Sequence, residues 1–126
     1  MKIASLIARL LLGLVFLVFG LNGFLQFIHM PPPPGAAGQF LAAVVATPYW
    51  MIIFGVQVIG GVLLLVGRFV PLALVILGPV IVNILSFHAF MAPAGLPLAL
   101  VVTVLWVVVA IRNKQHLAGL FVAKSE

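Results

Sequence analysis

The sequence has no cysteine and only one acid, Glu126. Without cysteine there are no disulfides, thiolate metal sites, c-type haem attachments or acyl-cysteine anchors. Charge of either sign is scarce: 6% of residues are charged and 66% hydrophobic, against about 25% and 45–50% in soluble proteins. A chain of 126 residues buries only about two thirds of its unfolded surface in water, so this apolar excess needs lipid as solvent. The net charge of +5 does not point to nucleic acid, because the cations stand singly or in pairs and form no stripe that could follow phosphates. There is no phosphate-cradling loop and no nucleophile with an adjacent base and orienting acid. The apolar runs hold no carboxylate, which argues against a proton relay or a cation-coupled carrier. No residue is assigned a catalytic or metal-binding role.

Charges at Lys2, Arg9, Arg68, Arg112, Lys114, Lys124 and Glu126 leave two charge-free runs, 10–67 and 69–111, of 58 and 43 residues. A helix rises about 1.5 Å per residue and the hydrocarbon core is about 30 Å thick, so one span takes roughly 20 residues. Each run is therefore two spans and a turn. The turns are PPPPGAAG (31–38) and PAGLP (93–97), both hostile to helix interiors. The expected fold is all-α, a single four-transmembrane-helix bundle over 1–126 with spans near 3–28, 49–66, 70–90 and 98–111. All six Lys and Arg then fall on one side, which the positive-inside rule makes cytoplasmic, with both termini. The first apolar stretch exceeds a signal-peptide core and no small-x-small site follows it closely, so it reads as a span.

Arg9 to His29 and Arg68 to His88 are each 20 residues apart, about one bilayer core of helix. On this ruler the arginines mark the inner edge and the histidines the outer. Tyr49 and Trp50 form an outer aromatic belt. Gln26, Asn83, Asn22 and Gln57 lie about 5, 8, 10 and 12 Å below the outer edge. Asn22, Gln26 and His29 share a helical face by spacing. Unpaired amides in hydrocarbon cost several kcal/mol, so the reading expects them to meet in a polar pocket open to the outer side. Pro79, below Asn83, frees the Val75 carbonyl and kinks the third span. Residues 39–46 are too short to span and are expected to lie as an interfacial lid, and Thr47 before Pro48 reads as a helix cap. The tetraproline reads as a rigid spacer, the glycines at 13, 20, 55, 60 and 61 as close-packing positions, and Trp106 as a packing anchor. His29 and His88 read as wet boundary residues able to exchange protons; their edge position disfavours axial ligation of haem.

RLLLGLVFLVFGLNGF (9–24), QVIGGVLLLVGR (57–68), PLALVIL (71–77) and PVIVNILSFH (79–88) together resemble the DoxX family of small bacterial membrane proteins. The resemblance implies a four-helix protein of the prokaryotic plasma membrane, in a family named after a subunit associated with quinone-coupled thiosulfate oxidation, some of whose members look like partners of redox or oxidative-stress proteins. It implies that Asn22, Gln57, Asn83 and His88 form the polar face. The resemblance implies that many relatives carry Glu where this chain has Gln57, and that departure counts against proton-coupled chemistry.

The expected function is that of an accessory subunit of a membrane redox system. It has no intrinsic cofactor and binds a quinone or similar neutral amphiphile through Asn22, Gln26, Trp50, Gln57, Asn83, Phe87 and His88. Its partners are the lipid bilayer, a redox protein and further copies of itself. The alternatives are a structural or assembly protein whose amides only lock the bundle, and a carrier of a small solute.

Overall fold

The computed structural model describes residues 2–29 and 31–124. Its α-helices are α1 (Lys2–Leu25), α2 (Gly35–Val45), α3 (Tyr49–Val66), α4 (Val70–Phe90), α5 (Leu96–Arg112) and the single turn α6 (Lys114–Leu117). Among the described residues every regular element is helical. Four segments, α1, α3, α4 and α5 with the 3₁₀ turn before it, are long and apolar enough to cross a membrane. Only 33% of the apolar window of α1 and 17% of that of α5 is buried within the protein. The outward remainder is Leu, Ile, Val and Phe, which hydrocarbon accepts and water does not.

α1 packs along α3 and α5, and α4 along the same two helices, so the spans form a ring with α1 and α4 diagonal. The α1–α3 seam is the tightest. A Cβ on Gly61 would stand 2.6 Å from the Leu17 nitrogen, and one on Gly20 2.9 Å from the Val58 nitrogen; only glycine lets these backbones approach so closely. The apolar core is Leu12 and Phe16 of α1, Leu64 of α3, Leu74, Leu77 and Ile81 of α4, and Val102 and Val109 of α5. It runs from the end of the bundle that carries Lys2, Arg68 and Arg112, the cationic end, to the middle of the spans. The opposite, proline end is finished by aromatic and polar side chains.

Two chain reversals explain how the spans stop. Gly67 (φ 77°) and Phe69 (φ 56°) are both left-handed, turning α3 into α4 within three residues. The Gly67 and Arg68 N–H groups both donate to the Leu63 carbonyl, which leaves the Leu64 carbonyl free of backbone partners. Arg9 donates to it from α1, placing a cation where the helix dipole is negative. At the proline end α1 stops at Leu25, three residues short of the span read from hydropathy. The Asn22 Oδ1 accepts the Ile28 N–H at 2.7 Å, and Gln26 takes a left-handed conformation (φ 51°). A short polar side chain competing for backbone donors is a common way to end a helix. The arginine-to-histidine ruler fails on this helix, because 26–29 are not helical.

α2 begins at Gly35 (φ 68°) after an extended Pro34, and the Pro33 carbonyl folds onto Gly38, where a Cβ would meet it at 2.2 Å. Thr47 Oγ1 accepts the Tyr49 N–H at 3.4 Å at the start of α3.

Candidate functional site

Two aromatic groups rim the proline end. Trp50 lies 5.4 Å from Phe24 and 6.5 Å from Phe54, centroid to centroid. Across the end, Phe40 of α2 packs at 5.5 Å against Phe87 of α4 with the rings tilted by 41°, and Phe87 meets His88 edge-on at 5.2 Å. α2 touches the bundle lightly, mainly along α3 and through this ring pair.

Gln57 is the buried amide of the site, 8% exposed, its Cβ against the position where Gly20 has no side chain. The His88 Nδ1–H donates to the Ile84 carbonyl at 2.8 Å. Because a carbonyl only accepts, the neutral ring carries its proton on Nδ1 and leaves Nε2 as an acceptor. That edge faces the Gly95 turn, where a Cβ would stand 2.5 Å from Nε2.

The remaining polar residues expected at the site are more exposed than Gln57. Asn22, half-buried, has its oxygen committed to the α1 terminus. Gln26 is exposed at the helix break, and His29 is exposed in the segment that follows. Asn83 is exposed on the outer surface of α4, with Pro79, Val82 and Ser86. The expected turning of Asn83 toward the bundle interior is therefore corrected. The reason is angular: the inward stripe of α4 is Leu74, Leu77 and Ile81, and Asn83, two residues beyond Ile81, is turned about 200° from it.

Two polar contacts carried by ordinary-looking residues escaped the sequence reading. The Trp106 indole N–H donates to the Leu74 carbonyl at 3.1 Å, next to the Val75 carbonyl that Pro79 leaves without its ladder donor. The signal was available: a Trp in hydrocarbon needs an acceptor, and a proline-containing neighbour supplies loosened carbonyls. The second is the Arg9 contact with Leu64, foreshadowed by a glycine turn that exposes helix-end carbonyls.

A ring of four apolar spans with one polar and aromatic end is that of a multi-pass membrane protein. The DoxX family model matches residues 4–89, from α1 through almost all of α4, and the chain belongs to the DoxX family. No curated protein and no solved structure matches it.

Proposed function

We propose that the chain is a bacterial plasma-membrane accessory subunit, with its cationic end and both termini cytoplasmic, that holds a quinone or similar neutral amphiphile at the proline end and serves a redox partner. The observation that carries the reading is Gln57. A buried amide at 8% exposure amid apolar spans offers both a donor and an acceptor to a carbonyl-bearing headgroup. Trp50 and Phe87 supply flat apolar walls, His88 Nε2 an acceptor, and the lightly held α2 a lid that a ligand arriving from the bilayer can lift. Asn83 contributes from the lipid side: an exposed amide at span depth is self-complementary and suits a second copy of α4 packed against it. The test is extraction with native lipids followed by mass spectrometry of bound small molecules. Wild type retains a quinone and Gln57→Leu loses most of it; equal retention in the two contradicts the proposal.

A second reading is favoured by one contact, the seating of Gln57 on Gly20. Here the amide only fastens α1 to α3, at about 0.6 kcal/mol for such a contact. Gln57→Leu then shifts thermal stability without changing bound small molecules.

A further inference from the structure

A cleft of about 380 Å³ opens at the cationic end, lined by Lys2, Ile3, Ser5, Leu6 and Arg9 of α1, Val70 of α4, and Arg112 and Asn113 at the end of α5. Arg112 also borders a second hollow, shared with Lys114 and Gln115. The cleft brings three cations together, with no acid among the described residues of its lining. Lys2, Ser5 and Arg9, spaced three and four apart, stack on one face of α1, and Ser5 is sunk to 6% exposure. Arg9 spends one N–H on the Leu64 carbonyl and keeps four of the five donors a guanidinium has. The first turn of α1 adds backbone N–H groups without intrahelical partners and the positive end of the dipole.

Positive-inside topology accounts for cations at this end but not for their gathering around a cleft; Arg68, at the same end, is exposed and outside the lining. The apolar residues of the cleft continue into an exposed stripe on α1: Ile3, Leu6, Ile7, Leu10 and Leu14 are 39–74% exposed. A cationic hollow joined to an apolar stripe that runs into the hydrocarbon has the chemistry of an amphiphile with an anionic head. We infer that this cleft binds the phosphate of an anionic phospholipid, with its acyl chains along the α1 stripe. Basic pockets between spans are a recurring form of lipid headgroup recognition. The site is independent of the amphiphile site at the other end of the bundle.

The experiment is native mass spectrometry of the full chain in detergent, titrated with phosphatidylglycerol, with phosphatidylcholine of the same chains, and with inorganic phosphate as competitor. Wild type binds phosphatidylglycerol in preference to phosphatidylcholine. Arg112→Gln and Lys2→Gln each weaken that binding about fivefold, from the share of one cation near a charged surface. Arg68→Gln, which removes the same charge outside the cleft, changes it less than twofold. Lys2 lies at the exposed start of α1, so its variant tests the site even where Arg112→Gln impairs folding. Equal losses in all three variants identify a diffuse surface charge effect and overturn the inference. Equal affinity for the two lipids overturns it as well, and so does displacement of the lipid by millimolar inorganic phosphate, which marks a free-anion site.

Discussion

At the residue scale, single polar side chains tie one helix to a backbone carbonyl of another. Gly67 combines a left-handed backbone with a guanidinium 2.7 Å from where its Cβ would stand. Gly67→Ala is expected to destabilise the protein by about 1–2 kcal/mol from the backbone alone, with more from displacing Arg9, read as a lower melting temperature in detergent. Trp106→Phe keeps the ring's bulk and removes the N–H donated to the Leu74 carbonyl. A loss of about 1 kcal/mol is expected for that hydrogen bond, measured by the same unfolding assay, and an unchanged melting temperature would show that the indole is held by packing alone. Each contact had a signal in the sequence, a Trp facing a proline-containing span and a glycine turn, but the particular carbonyl it meets lies in another helix.

At the element scale, hydropathy and turn residues made the four spans legible, since bilayer thickness and proline chemistry act on local sequence. Which face of each span turns inward was less legible. α4 is apolar almost all round, so no polar stripe marks its outer side, and Asn83 was assigned inward when Leu74, Leu77 and Ile81 hold that position. The end of α1 was misread for a related reason: Asn22 was taken as a pocket residue, yet its amide closes its own helix. Gly13, Gly20, Gly60 and Gly61 were read correctly as close-packing positions and Gly55 was not, which gives a contrast. Gly61→Leu drives a side chain into the α1 backbone and is expected to abolish a stable bundle, whereas Gly55→Ala, with nothing within 4 Å of the added Cβ, leaves the melting temperature nearly unchanged. Comparable losses in both would mean that general helix propensity, not contact, sets the seam.

At the scale of the whole molecule, membrane residence follows from composition, and the two ends then differ in kind: one cationic, one aromatic and amide-bearing. Because the chain contains no cysteine, introduced thiols report its orientation without background. Gln115→Cys is expected to be shielded from an impermeant thiol reagent in intact cells and Gln39→Cys to react, the reverse pattern placing the cationic end outside. The proposed amphiphile site at the proline end meets its most direct test in Trp50, which the Trp106→Phe background leaves as the only tryptophan among two. Titrating that variant in lipid nanodiscs with a quinone should quench Trp50 fluorescence saturably, and Gln57→Leu should shift the midpoint at least tenfold to higher quinone, the effect of losing about 1.4 kcal/mol of binding. Quenching that rises linearly, equal for Trp50 and for Trp106 in a Trp50→Phe protein and indifferent to Gln57, would show a quinone merely dissolved in the bilayer and would contradict a binding site at the proline end.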